Sequence, residues 1–243
     1  MGMRLIVTAD DLGISPQNDM AILESAERGI VTSVSVLAGG PNASASVPLA
    51  ANLCLGLHLA FVDATPLSQA SLIPSLVSRS GRFHAKVWVL ARKRVVVSEL
   101  WREAEAQYRR FVALAGRQPT FINTHQHTQL LPDVLRVVRG LCSRYAIRHI
   151  RNPTEQTPVR IPRRVRSILW PAATALAVAG ARHLRADGLS FPDRMIGGPD
   201  SGALTVGRLT RLIDSLRAGT TELVVHPGAT PRELDALTDP RIV

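Results

Sequence analysis

Short aliphatic runs alternate with segments whose apolar residues recur at helical spacing along this 243-residue chain. This alternation is typical of repeated βα units, which place their strands in a parallel sheet covered by helices. We therefore predict an α/β fold, a distorted (β/α) barrel of about six or seven mainly parallel strands. The runs interpreted as strands are Leu5–Thr8, Val31–Leu37, Leu53–Leu59, Phe121–Thr124, Ala146–Ile150 and Glu222–Val225.

Helices are predicted between most of these strands, and the first has clear start and stop signals. Ser15 is a favourable N-cap, Pro16 fits the first helical position, and Gly29 is a favourable end. The predicted helices are Pro16–Arg28, Ala43–Ala51, Ser98–Ala115, Pro132–Tyr145, Arg163–Ala186, Thr205–Arg217 and Arg232–Leu237.

The composition suits a single domain spanning 1–243. Hydrophobic residues make up 46% of the chain, which is enough for a full-sized core. The segment from about 62 to 96 breaks the βα rhythm, since it contains Pro66, Pro74 and Gly81 and shows no clear period. We interpret it as an irregular insertion beside the functional site, because long loops in compact domains are usually functional.

Ionisable side chains lie within or directly after four of the predicted strands. These residues are Asp10 and Asp11 after the first strand, His58 in the third, His125 and His127 after the fourth, and His226 after the last. The carboxyl ends of parallel strands share one rim, so we expect these side chains to converge on one pocket. Carboxylate and imidazole groups in such a pocket are typical of a metal-assisted hydrolase.

Each of these residues also has a purely structural interpretation. An Asp-Asp pair is common in solvated turns, and a single histidine between leucines, such as His58, is often a core residue bonded to a carbonyl. His226, which precedes Pro-Gly, is equally consistent with a turn residue. The presence of all of them at strand ends favours the functional interpretation.

In the functional interpretation each residue has a separate role in catalysis. Asp10 and Asp11 are adjacent on an extended segment and point in different directions, so one can bind a cation while the other faces water or substrate. His226 is a candidate proton donor to a leaving group. Arg151 follows another strand and is a candidate partner that keeps Asp10 ionised.

The His125-Gln126-His127 segment is the strongest metal signal, because it sets two imidazoles at the same opening. Neutral imidazole is a common ligand of zinc and of other borderline divalent metals. An Asp with two His leaves open coordination positions for a reactive water.

Charge and cysteine usage restrict the partners and the compartment. The net charge is +10, but nearly all of it is Arg and only 4% of residues are aromatic, so we expect no nucleic-acid partner. Cys54 and Cys142 have no short spacing between them, and we expect neither a disulfide nor a cysteine-type zinc site. The N-terminal residues lead directly into a strand-like run without a signal-peptide pattern, so we expect a cytoplasmic protein.

One apolar stretch, 168–181, bears on membrane contact. It is shorter than the roughly 20 residues that cross a bilayer, and it contains Pro171 and Gly180. We favour a buried helix over an interfacial helix that docks on anionic headgroups. Arginines on both sides of the stretch keep the second interpretation open, and with it a peripheral membrane contact.

Five motifs in register resemble the YdjC-like carbohydrate deacetylases, the ChbG/HpnK group. They span most of the chain, in that family's order. The motifs are Thr8-Ala9-Asp10-Asp11-Leu12-Gly13, Gly56-Leu57-His58-Leu59, Asn123-Thr124-His125-Gln126-His127 after Pro119-Thr120-Phe121-Ile122, the strand Ile147-Arg148-His149-Ile150-Arg151, and His226-Pro227-Gly228.

The resemblance implies a distorted αβ barrel that uses one divalent metal ion, zinc or magnesium, to remove an acetyl group from an N-acetylated amino sugar. That sugar is an oligosaccharide or a glycolipid. By position, Asp11, His58 and His125 would bind the metal, with His127 as the alternative ligand. Asp10 would be the general base and His226 the general acid.

The chain departs from the family pattern around the His-x-His segment. Many members have an Asp and further histidines there, where this chain has Phe121, Asn123 and Gln129. We therefore expect the side chains around the ligands to differ from theirs.

Two other functions stay open at the level of sequence. One is a different metal-dependent amide or phosphoester hydrolase. The other is a non-catalytic carbohydrate-binding or lipid-binding protein on the same scaffold. A homodimer is also left open.

Overall fold

The computed structural model describes residues 2–156 and 165–243, with side chains described from 171 onward in the second range. Within these residues, seven parallel strands form one sheet in the order β5-β4-β3-β2-β1-β7-β6. The strands are β1 (Met3–Leu12), β2 (Ser33–Val36), β3 (Cys54–Leu59), β4 (Phe121–Thr124), β5 (His149–Ile150), β6 (Arg194–Ile196) and β7 (Gly219–Val225). The sheet curls into a half-barrel, which confirms the predicted α/β fold.

The two edges of the half-barrel approach each other after β5. The Met195 amide in β6 donates to the Thr154 carbonyl at 3.0 Å, and the Met195 carbonyl accepts from the Gln156 amide at 2.9 Å. The chain that follows β5 therefore lies beside β6, and side chains from both edges can reach one interior.

Helices cover the outside of the sheet. They are α1 (Pro16–Glu27), α2 (Ala43–Leu49), α3 (Val87–Ala91), α4 (Val97–Ala115), α5 (Pro132–Arg144), α6 (Val165–Ala186), α7 (Val206–Asp214) and α8 (Pro231–Leu237). The Ser15 hydroxyl accepts from the Asn18 amide at the start of α1, as its N-cap role predicts. Gly116 ends α4 in the left-handed conformation, with φ of 66°.

Two strands differ from the prediction. The predicted strand Ala146–Ile150 is restricted to His149–Ile150. Strand β6, Arg194–Ile196, is not among the predicted strands. Three residues are too few to show the alternation of apolar and polar residues that indicates a strand. Strand β6 forms because its neighbour β7 supplies the pairing partner.

The segment interpreted as an irregular insertion contains two short helical elements, Ala70–Leu72 and α3. It is packed on the protein through buried side chains such as Ile73, Leu76 and Leu90. The buried Glu103 carboxylate of α4 also accepts from the amide of Leu67 at 3.0 Å and from that of Ser68 at 2.8 Å. This carboxylate anchors the segment beside the sheet.

Helix α6 differs from the predicted buried helix. Ala177, Ala181 and Leu184 are buried, but Leu176 is 54% exposed and Val178 is 61% exposed. The prediction of a wholly buried helix is therefore wrong for the described part, because only one face of α6 packs on the protein. The predicted start at 163 lies outside the described residues. In the described ranges, we find no helix with the length and apolar character needed to span a membrane.

Candidate active site

The two aspartates are positioned by an irregularity at the end of β1. The register with β2 shifts between Ala9 and Leu12, and Asp11 adopts a left-handed backbone with φ of 72°. Bulges of this kind re-aim side chains at functional sites. The turn is held by Asp19, which accepts from the Gly13 amide at 2.8 Å, and by Asn18, whose amide donates to the Asp11 carbonyl at 2.9 Å.

Three side chains from three strand ends meet at one point. Asp11 Oδ1 lies 3.3 Å from His58 Nε2 and 3.1 Å from His125 Nδ1. The two imidazole nitrogens are 3.2 Å apart. Among the described residues, these three form a grouping whose donor atoms all lie within 4.8 Å of one another, as a metal ion requires.

The ring of His58 is oriented by polar residues behind it. An ionised Asp10 can only accept, so the hydroxyl of Ser35 at 2.7 Å and the amide nitrogen of Asn123 at 3.0 Å donate to it. The Asn123 carbonyl oxygen then faces His58 Nδ1 at 2.7 Å and accepts a hydrogen bond from the Nδ1–H group. This arrangement leaves the lone pair of Nε2 directed at the grouping.

Asp10 lies in a buried ion pair with Arg151, which was the partner expected from the sequence. The Arg151 guanidinium donates to Asp10 Oδ1 at 2.9 Å and also to the other oxygen, Oδ2. The same guanidinium donates twice to Glu222, at 2.8 and 2.9 Å. Burial alone would raise the pKa of Asp10, but the charge and hydrogen bonds of Arg151 hold that pKa well below its usual range.

His226 lies at the rim, beside the three converging side chains. Its Nε2 is 3.9 Å from Asp11 Oδ2, and its side chain is 22% exposed. Its Nδ1 lies 2.8 Å from the Ser201 hydroxyl. The imidazole therefore presents one nitrogen to the site and the other to the protein.

His127 does not join the grouping. Gln126 and His127 both adopt left-handed backbones, with φ of 51° and 52°, and this turn separates the directions of His125 and His127. His127 is half-buried and lies outside the group of donor atoms, and desolvation together with the charge of Arg151 lowers its pKa to about 3. Of the two histidines, the structure brings His125 into the grouping.

A family model for YdjC-like proteins matches residues 4–243. The chain belongs to the YdjC-like family. A carbohydrate deacetylase of Mus musculus is 35% identical, over 93% of this chain and 78% of that protein. A chitooligosaccharide deacetylase of Serratia marcescens is 29% identical, over 98% of this chain and 92% of that protein. The resemblance seen in the sequence motifs is confirmed.

Two solved structures share the fold. One, from Enterococcus faecalis V583, is described as a candidate cellobiose-phosphate cleavage protein. It has a TM-score of 0.80 at 23% identity and covers 100% of this chain and 93% of that chain. The other is a peptidoglycan N-acetylglucosamine deacetylase with a TM-score of 0.50 at 13% identity, which covers 99% of this chain and 82% of that chain. At these identities the likeness concerns the YdjC-like fold alone.

The sequence motifs of the YdjC-like family did not reveal the polar residues behind the site. Ser35 and Glu222 are buried, and Asn123, which begins one of the motifs and departs from the family pattern, was given no role. Their strand positions carry a weak signal: Ser35 is two residues from Ser33, and Asn123 pairs in register with His58. Polar side chains at alternate positions of several strands indicate a polar interior.

Proposed function

We propose that this protein is a metal-dependent hydrolase that removes the acetyl group of an N-acetylated amino sugar and releases acetate and a free amine. The observation that carries the proposal is the convergence of Asp11, His58 and His125 beside the Arg151-paired Asp10. The relatives named as carbohydrate deacetylases support the substrate class.

The donor set fits a divalent metal ion. One carboxylate and two imidazole nitrogens suit zinc, whereas magnesium prefers oxygen ligands and comes second. Asp11, His58 and His125 would hold the ion, and His58 is already oriented for this by Asn123. Such an ion supplies Lewis-acid activation of the amide carbonyl and of the attacking water.

Asp10 is proposed as the acceptor of the proton that the attacking water loses. Arg151 keeps the carboxylate ionised and fixes both of its oxygens. A carboxylate with so low a pKa is a weak base, so it can accept a proton only from water whose own acidity is raised. The Ser35 and Asn123 bonds prevent its rotation.

His226 is proposed as the proton donor to the departing nitrogen. Its Nε2 lies 3.9 Å from Asp11 Oδ2, whereas Asp10 is paired with Arg151. As the carbon–nitrogen bond breaks, the proton at Nε2 passes to the amine, which could not leave as an anion. The carbonyl carbon keeps the oxygen from water and leaves as acetate.

The pH dependence of metal binding follows from His125. Burial lowers its pKa, but the hydrogen bond and charge of Asp11 raise it more, so the pKa lies above the ordinary 6.5. A metal ion must displace that proton, and acidification favours the protonated ring. We expect the zinc affinity, measured calorimetrically from pH 8.5 to 5.5, to begin falling at a pH above 6.5. An affinity that stays constant down to pH 6 would contradict His125 as a ligand.

A glycolipid substrate is supported by the exposed side of α6. Leu176 and Val178 are exposed there, and the exposed Arg182 and Arg185 follow on the same helix. Helix α6 also contacts His125–Leu130 and Gly198–Asp200, two segments at the rim of the site. Apolar residues near arginines are suited to anionic headgroups, so we propose that the protein reaches a membrane-borne sugar by peripheral contact.

The experiment that tests the proposed function is acetate release from N-acetylated amino-sugar oligosaccharides and from an N-acetylated glycolipid in vesicles. The purified protein would be assayed with zinc, magnesium, manganese or no added metal. We expect metal-dependent release from at least one of these substrates, and none from an Asp11→Ala control. Bound metal without release would favour a different amide or phosphoester hydrolase, and neither metal nor release would favour a binding protein.

The vesicle arm separates the membrane contact from the chemistry. Release should be faster from anionic than from neutral vesicles and should weaken as salt is added, because arginines contribute electrostatically near a charged surface. Equal rates in both vesicles would contradict the membrane contact and leave the deacetylation intact.

A further inference from the structure

The ring of His226 is held from behind by a hydroxyl group. Ser201 Oγ lies 2.8 Å from His226 Nδ1, and the opposite nitrogen, Nε2, faces Asp11. We propose that Ser201 is a positioning residue whose hydroxyl oxygen accepts a hydrogen bond from Nδ1–H and so keeps Nε2 as the nitrogen that gives up its proton to the leaving amine. This inference rests on the proposed function of His226.

The role proposed for the hydroxyl concerns the tautomer of the His226 ring. When the imidazolium gives its Nε2 proton away, the remaining proton must stay on Nδ1, and an acceptor at that nitrogen stabilises this product. Without the acceptor, the neutral ring can also adopt the tautomer with its proton on Nε2 or rotate out of line. Ser201 thus acts through His226, without contact to the reacting atoms.

The loop that carries Ser201 is fixed to the protein on both sides. Before it, Asp200 accepts from the Arg208 guanidinium at 2.7 and 3.0 Å. After it, the Gly202 carbonyl accepts from the Thr230 hydroxyl at 3.1 Å. A hydroxyl on a loop with these anchors can hold a ring in one orientation.

One buried carboxylate joins this loop to the histidine. Glu233 is fully buried, and its Oε1 accepts from the His226 amide at 2.6 Å while its Oε2 accepts from the Leu204 amide at 3.2 Å. Glu233 stands three residues after Thr230, the N-cap of α8. In an ordinary capping box this side chain would bond back to the N-cap amide. Here it bonds to two other segments, and it fixes the backbone of His226 relative to the Ser201 loop.

The test compares Ser201→Ala and Ser201→Thr on two substrates that differ in their need for a proton. An amino-sugar amide needs its leaving nitrogen protonated, whereas 4-nitrophenyl acetate releases a stable phenolate. We expect Ser201→Ala to lower kcat on the amide about tenfold or more, with KM nearly unchanged, and to affect the ester much less. Ser201→Thr, which keeps the hydroxyl, should restore most of the amide activity.

Nuclear magnetic resonance gives a readout that does not need activity. The ¹⁵N shifts of the His226 ring should show a protonated Nδ1 in the wild-type neutral form and a mixture of tautomers in Ser201→Ala. Equal losses on amide and ester, or unchanged ring shifts, would overturn the positioning role. If the wild type hydrolyses no amide while the ring shifts change as expected, the proposed function fails and the Ser201–His226 contact stands.

Discussion

Replacing Asp11 with alanine should remove both the bound metal and the hydrolytic activity. Asp11 Oδ1 lies within 3.3 Å of both imidazole nitrogens, so it supplies the one negative charge among the three facing donors. Without it, two neutral imidazoles would remain, and a site with two ligands binds a divalent ion weakly. We expect less than about one tenth of the wild-type metal content by elemental analysis and no measurable acetate release.

Asp10→Asn is the matched control for Asp11→Ala. It replaces one carboxylate oxygen of the neighbouring residue by an amide nitrogen. Asp10 is paired with Arg151 and is not one of the three donor residues, so the variant should keep its metal. If Asp10 accepts the proton of the attacking water, turnover should fall by about 10²–10⁴-fold. Turnover close to the wild-type value would exclude the base role, and loss of metal in this variant would contradict a division of roles in which Asp11 alone of the two aspartates is needed for metal binding.

The rim of the site could be predicted from sequence because each member follows a recognisable aliphatic strand. Asp10, Asp11 and His226 come directly after runs of β-branched and aliphatic residues, and parallel strands place such ends together. The order of the strands along the chain is enough to predict that these ends meet, and side-chain contacts are not needed. This order therefore predicted that these residues converge, without distinguishing His125 from His127.

The remaining features depend on tertiary contacts that leave little local pattern. The difference between His125 and His127 comes from two left-handed residues, which no motif indicates. Strand β6 has three residues and depends on β7. Helix α6 is apolar on most of its surface, so the sequence does not show which side packs inward and which side is exposed.

Arg151→Met should cause the largest loss of stability among single substitutions at the site. The Arg151 side chain is buried between Asp10 and Glu222, and removing its charge leaves two buried carboxylates without compensation. Breaking a buried ion pair from one side costs about 3–5 kcal/mol. Urea unfolding followed by circular dichroism should show this loss at neutral pH, with a melting temperature lower by roughly 6–20 °C.

The difference in stability between the wild type and Arg151→Met should depend on pH. In the wild type the pKa of Asp10 is lowered in the folded state, so its contribution to stability is present above the ordinary pKa of 3.8 and is lost as pH falls further. In Arg151→Met the unpaired Asp10 carboxylate should take up a proton at higher pH, because burial raises its pKa and the opposing charge of Arg151 is gone. The stability gap between the two proteins should therefore narrow on acidification.

Two further variants distinguish this explanation from a general effect of losing an arginine. Arg139 pairs with Asp187 where both side chains are partly exposed, so Arg139→Met should cost no more than about 1 kcal/mol. Adding Glu222→Gln to Arg151→Met removes one uncompensated charge and should recover part of the lost stability. If Arg151→Met were no more destabilising than Arg139→Met, the buried triad of Asp10, Arg151 and Glu222 would not be the electrostatic support of the site.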